Sequence, residues 1–280
     1  MSKPYCTFIQ NVIANVTASS HKIPSKNFSK NFFMTFELYH KCDKVESVMM
    51  SFDYVFDDIA DKQAIWIPDA DTDSSDLAGF ADSVLDMGVS YVSMPCAATS
   101  EMWPWVEENH IKIFNRFEFA MADDADVFDA VSNLATNVTG AFKSGAVGAQ
   151  IFVHVKDIAD FCGAIKPVRQ DLFFDKHFSV AVDIDEMRGG TWSAVFDALR
   201  DIRPDAILIT AKGDLFDANS NFVGIVFDML NNWNIDSDLH MWFGKNMLRI
   251  SQALRLCQKI QPDLVSNMRI FVNINRRVQE

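Results

Sequence analysis

Between residues 63 and 274 short apolar runs alternate with longer stretches whose apolar positions recur every three or four residues. The first pattern predicts buried strands and the second amphipathic helices. Strands are expected at 63–68, 91–95, 111–119, 149–155, 178–184, 205–211, 239–243 and 269–274. Helices are expected from Ser75 or Asp76 to Gly88, and over 99–110, 126–144, 157–164, 191–202, 219–233 and 247–265, with a looser segment from 165 to His177. Glycines and prolines fall mostly at the joins, where they stop helices or free a turn.

A strand–helix repeat of this length predicts an α/β protein: a (β/α)8, or TIM-type, barrel with a parallel sheet. An open doubly wound sheet is the alternative, but no Gly-x-Gly-x-x-Gly follows the first strand. No helix is expected after the eighth strand. Upstream, Phe28, Phe32, Phe36, Tyr39, Val45, Met49, Phe52, Phe56 and Ile59 form a stripe at helical spacing, without an intervening Gly or Pro. It predicts an extra N-terminal helix, or two, closing the gap between the eighth and first strands. The domain reading is therefore an arm over 1–26 and one barrel over 27–280, with 27–61 as its closing segment.

Parity along the strands locates the chemistry, because successive side chains point to opposite faces. In the fourth strand Ile151, Val153 and Val155 oppose Gln150, Phe152, His154 and Lys156. In the fifth, Val180, Val182 and Ile184 oppose Ser179, Ala181, Asp183 and Asp185. In the sixth, Ile207 and Ile209 oppose Ala206, Leu208, Thr210 and Lys212; in the eighth, Ile270, Val272 and Ile274 oppose Phe271, Asn273 and Asn275. All four place polar groups on the lumen face at the C-terminal ends, where barrels of this type do their chemistry. Asp69, Asn115 or Arg116, Lys245 and Asn246 are candidates for the rim. Lys156 could equally begin the next helix, Asp185 could cap the following turn, and Lys212 could be a lysine paired with Asp183 or Asp185.

Composition narrows the partners. The chain has 280 residues, 49% of them hydrophobic and 24 of them Phe, which is ample for a large core. A net charge of −13 argues against nucleic acid and against anionic membrane surfaces. Five scattered cysteines without a Cys-x-x-Cys pair predict free thiols rather than a disulfide framework or zinc site. No signal-peptide core or bilayer-length apolar run is present, so the expectation is a cytoplasmic protein with a small-molecule substrate, compatible with a homo-oligomer.

The strand–helix pattern, with Lys212 ending the sixth strand, resembles the class I, Schiff-base-forming aldolases and dehydratases, including the deoxyribose-phosphate and keto-deoxy-phosphogluconate aldolase groups. The resemblance covers about residues 63–275 and is anchored on Lys212. It implies lyase chemistry of aldolase type on a small 2-oxo acid, aldehyde or sugar-phosphate-like substrate, with no cofactor. Lys212 would be the nucleophile, Lys156 the second cation that keeps it neutral, and Asp183 and His154 the proton carriers. Asp185, Thr210, Lys245, Asn246, Asn273 and Asn275 would bind substrate. The run Phe243-Gly244-Lys245-Asn246 offers a glycine, a cation and a helix start to an anion, whereas Asn275-Arg276-Arg277 lacks the glycine pair usual in phosphate sites. Two rivals stand beside this reading. One is a metal-dependent barrel using Asp183, Asp185, Glu186 and His154 for a hard divalent ion, although Lys156 and Lys212 would repel the cation. The other is a barrel that binds a small molecule or partner without catalysis.

Overall fold

A computed structural model describes residues 62–68, 74–121, 126–187, 192–211, 222–244 and 246–273. Backbone contacts mark off Met1–Asp61 from Lys62–Glu280, and the elements below all belong to the second unit. The expected arm, the closing segment 27–61 and the chain after Asn273 lie outside the described residues.

Eight parallel strands close into one barrel in sequence order: β1 (Gln63–Trp66), β2 (Tyr91–Pro95), β3 (Lys112–Phe119), β4 (Gly148–Val153), β5 (His177–Asp183), β6 (Ala206–Thr210), β7 (Asp238–Trp242) and β8 (Arg269–Asn273). The barrel closes by pairing Ala64 with Phe271 and Trp66 with Asn273. Between the strands run α1 (Ser74–Met87), α2 (Thr99–Val106), α3 (Val127–Lys143), α4 (Ile158–Leu172), α5 (Trp192–Ile202), α6 (Phe222–Asn232), α7 (Met247–Ile260) and the short α8 (Leu264–Asn267). Among the described residues no helix is long and apolar enough to cross a membrane.

The outward parity of the strands is the continuous apolar one. Ile65, Ile151, Val180, Val182, Ile207, Ile209, Leu239, Met241 and Ile270 are all at or below 1% exposure. Each such side chain contributes about 1.5–3 kcal/mol on burial, so this ring around the sheet is a substantial part of the core. The helices answer with stripes of their own. In α3, Val131, Leu134, Val138 and Ala141 are buried, Asp126 caps the start by accepting a bond from the Phe128 amide (2.9 Å), and the chain leaves through Gly145 at φ +108°. A Cβ at Gly145 would lie 2.5 Å from the Trp103 ring, so glycine is required there twice over.

Three helical expectations need correction. The segment 165–172 is not loose: α4 continues to Leu172, through Pro167. Proline deprives the Gly163 carbonyl of its N–H partner, but Gly163 is exposed and water can take that place. The second helix stops at Val106 and gives way to a 3-10 turn before His110, which adopts a left-handed φ of 57°. The seventh divides at Gln261-Pro262, where a second proline stops α7 and α8 begins afresh.

Because the strands tilt, side chains at one height are found by advancing one residue past the register partner at each step around the barrel. From Trp66 this passes Ser93 to Met94, Asn115 to Arg116, Gln150 to Ile151 and Val180 to Ala181. It continues through Leu208 to Ile209, Met241 to Trp242, and Phe271 to Val272, and returns to Trp66. Trp66, Arg116, Ala181 and Trp242 thus make one inward layer from the odd strands. Ser93, Gln150, Leu208 and Phe271 lie one layer below it; Pro95, Phe152, Thr210 and Asn273 lie one above.

Candidate active site

The layer of Trp66, Arg116, Ala181 and Trp242 forms the floor of the C-terminal mouth. The indoles of Trp66 and Trp242 stack with ring centroids 4.2 Å apart and planes 16° from parallel. Phe152 above and Phe271 below meet Trp66 edge-on, each at 6.1 Å. The Arg116 guanidinium lies 4.1 Å from the Trp66 ring centre, a cation–π contact made in a half-buried setting. Arg116 also donates to Ser93 Oγ (3.2 Å) and to the Ile67 carbonyl, while Ser93 Oγ donates to Gln150 Oε1 (2.6 Å). Six strands are tied together at this level by aromatic and polar contacts.

Above the floor the strand ends carry the polar groups. Asn273 closes β8 and its Oδ1 accepts from Trp242 Nε1 at 2.9 Å. Thr210 closes β6, fully buried, with its hydroxyl 3.4 Å from the Val182 carbonyl. Asp183 closes β5 as the register partner of Thr210, half-buried, and its Oδ1 accepts from the Asp185 amide (2.9 Å). That bond ends the strand and starts a 3-10 turn over Ile184–Glu186. At the rim, His154 Nδ1 lies 2.6 Å from Glu186 Oε1, and Glu186 Oε2 accepts from the Val155 amide at 2.9 Å.

Asp183, Thr210 and Asn273 thus close β5, β6 and β8 on the lumen parity. Lys212, Lys245 and Asn275 lie outside the described residues, as does Asp69. Lys156 is a correction: β4 ends at Val153, two residues earlier than expected, and Val155–Asp157 is a 3-10 turn in which strand alternation no longer applies. Its side chain is exposed. Asn246 is another: it is buried at the start of α7, where Oδ1 accepts from the Arg249 amide (3.0 Å) and serves as a helix cap. Asp185 sits in the turn, half-buried, its amide held by Asp183. Of the pair Asn115 and Arg116, Arg116 has the inward parity; Asn115 points the other way and bonds to Met94 O and Thr99 Oγ1.

Trp66 and Trp242 are the site residues that sequence reasoning missed. In 63–68 both faces are apolar, so alternation gives no sign of which one lines the lumen. In β7 the alternation of His240 and Trp242 against Leu239 and Met241 carried the signal. The rival metal set does not assemble: Glu186 is engaged by His154 and Val155, and among the described residues no group of three His, Cys, Asp or Glu side chains could hold a metal ion. A cleft of about 370 Å³ adjoins the mouth at the end of β3, lined by Arg116 and Glu118 on one side and Asn133 and Asn137 of α3 on the other.

A closed parallel barrel of eight strands in sequence order, with helices between them, defines the molecule as a (β/α)8 barrel. Among solved structures it is similar to a deoxyribose-phosphate aldolase from Aeropyrum pernix, with a TM-score of 0.57 and 12% identity over 79% of this chain and 92% of that one. It is also similar to a protein from Toxoplasma gondii ME49 provisionally named a deoxyribose-phosphate aldolase, with a TM-score of 0.59 and 13% identity over 81% and 92% of the two chains. The shared property at such identities is the fold. No protein-family model matches the chain, and no curated protein matches it in sequence.

Proposed function

We propose that the protein is an aldolase-type lyase acting on a small 2-oxo acid, aldehyde or sugar-phosphate-like substrate through a Schiff base on Lys212. The observation that carries this reading is the pairing of Asp183 with Thr210 at the lumen-facing ends of β5 and β6, directly above an aromatic floor. Lys212 is two residues beyond Thr210 in sequence and continues the parity of Ala206, Leu208 and Thr210. An apolar floor and the fixed positive charge of Arg116 favour the neutral form of an amine placed above them, the form that attacks a carbonyl. The C–N bond forms first; the carbinolamine oxygen then takes up protons and leaves as water. In the resulting iminium, the electrons of the adjacent carbon–carbon bond are drawn toward nitrogen as that bond breaks. Asp183 is the carboxylate suited to carry protons as the carbinolamine forms and loses water. Asn273 and Thr210 suit the binding of substrate oxygens.

Borohydride reduction of the full chain with a panel of 2-oxo acids and aldehydes tests the proposal. The expected result is a covalent adduct mapped to Lys212 by mass spectrometry and absent from Lys212→Met. One observation favours a second reading, a barrel that binds a small molecule without turning it over: Trp242, half-buried and stacked on Trp66, offers aromatic surface to a flat ligand at the floor of the mouth. Ligand-dependent quenching of tryptophan fluorescence without an adduct anywhere in the panel would move this reading ahead.

A further inference from the structure

Glu186 closes a two-residue device at the rim that the reaction outlined above leaves unused. One of its carboxylate oxygens lies 2.6 Å from His154 Nδ1, and the other accepts the Val155 amide at 2.9 Å. The carboxylate therefore spans from the turn after β5 to the turn after β4 with both oxygens engaged. A carboxylate only accepts hydrogen bonds, so the neutral imidazole facing it carries its proton on Nδ1. The lone pair then sits on Nε2. Among the described residues no other hydrogen bond reaches this imidazole, and the side chain is 49% exposed. An exposed ion pair of this type contributes little to stability, so its geometry matters more for what it does to the ring than for holding the fold.

We propose that Glu186 is the positioning residue of a carboxylate–imidazole dyad that holds His154 with Nε2 open as a proton acceptor at the mouth. Its use in catalysis rests on the aldolase-type reading; its existence does not. In the cleavage direction the substrate is a β-hydroxy carbonyl compound held as the iminium. His154 Nε2 takes the hydroxyl proton, and the O–H electrons become the second bond of the new aldehyde. The carbon–carbon electrons pass to the iminium, giving an enamine. The imidazolium, stabilised by Glu186, then returns the proton to the enamine carbon, so His154 ends as it began. Fixing the ring in one tautomer removes a search the free side chain would otherwise make at each turnover.

The test uses the full chain with ¹⁵N-labelled histidine, observed by multiple-bond ¹H–¹⁵N NMR well above the ordinary imidazole range. The His154 signals are identified by their loss in His154→Gln. Wild-type His154 should show the Nδ1–H tautomer alone, and Glu186→Ala should turn it into a mixture with Nε2–H. A wild-type Nε2–H tautomer, or a tautomer unmoved by Glu186→Ala, overturns the dyad whatever the activity. With a carbonyl substrate found by borohydride trapping, Glu186→Ala should leave KM and adduct formation near wild type. It should lower kcat at least about tenfold, the low end of what is lost when the partner that orients a functional imidazole is removed. Unchanged kcat in both Glu186→Ala and His154→Gln overturns the catalytic role. If wild-type protein forms no adduct, the aldolase reading and that role fall together, and the tautomer result separates this failure from a failure of the dyad itself.

Discussion

At the N-terminal end of the lumen, Tyr91, Phe114, His177, His240 and Arg269 close on one another; at the C-terminal end Trp66, Trp242 and Phe152 do the same beneath a set of strand-end polar groups. The lower cluster packs ring against ring, with His240 Nδ1 buried and, among the described residues, without a hydrogen-bond partner. His177 and His240 stack at 5.7 Å and 12°, Phe114 meets His177 edge-on at 5.0 Å, and Arg269 and Lys112 lie 4.7 and 5.4 Å from the Tyr91 ring centre. Burial holds the His240 imidazole well below its ordinary value, helped by the charges of His177 and Arg269. His177 is lowered too, chiefly by burial, with Asp205 and Asp238 pulling the other way. For the Tyr91 phenol the balance is different: burial pushes it up, but the bonds and charges of Arg269 and Lys112 outweigh that and bring it down. The upper end keeps Asp183, Thr210 and Asn273 above its rings instead of among them. Similar aromatic contacts thus serve internal packing at one end and a floor beneath strand-end polar groups at the other.

The comparison breaks most sharply at Trp66. If its ring is core as well as floor, Trp66→Ala should cost about 3–5 kcal/mol in urea unfolding, the scale of a buried aromatic truncation. A loss below about 1 kcal/mol would make the floor a surface feature and dissolve the likeness between the two ends. Next in size is Gly148, inward on β4 beneath the floor, where a Cβ would lie 2.6 Å from the Phe114 ring and 2.9 Å from His177 Cβ. Gly148→Ala should cost about 1–3 kcal/mol through overpacking while leaving chemistry at the mouth intact. Loss of borohydride trapping without loss of stability would mean that the lower cluster is part of the site.

A third effect is a pH dependence. Both histidines have folded-state values below the unfolded one of about 6.5, so below that pH the unfolded chain binds more protons than the native one. Stability from the pair is fully present above about pH 6.5 and is lost as pH falls toward the folded-state values, by at most about 1.4 kcal/mol per pH unit for each histidine. Urea midpoints from pH 8 to pH 5 should show this slope in wild type and a shallower one in His240→Gln. An identical slope would place the acid sensitivity elsewhere.

The repeat was legible in the sequence because each strand is bounded by turn residues and backed by an apolar stripe; β2 runs from Tyr91 to Pro95 as read. Parity at β5, β6 and β8 was legible for the same reason, since one face of each strand is continuously apolar. Sequence reasoning lost its footing where alternation stops. Lys156 was carried inward by a strand that had already ended, and Asn246 looked like a ligand-binding amide while its oxygen serves a helix start. The segment from 165 to 172 read as loose, yet α4 runs on through Pro167, which leaves without its N–H partner only the carbonyl of the exposed Gly163. The bond between His154 and Glu186 joins two loops 32 residues apart, so its members could be named but their contact could not.

The stacked tryptophans also give the molecule an optical handle on its own mouth. Two indoles 4.2 Å apart and nearly parallel are close enough for their electronic transitions to mix, and the mixed transitions take their handedness from the twist between the rings. Circular dichroism in the aromatic region therefore carries a signature of this one pair above the background of the other rings. Because Trp242 is tethered through its N–H to Asn273 at the end of β8, a guest that competes for that carboxamide would loosen the twist and be seen without a label.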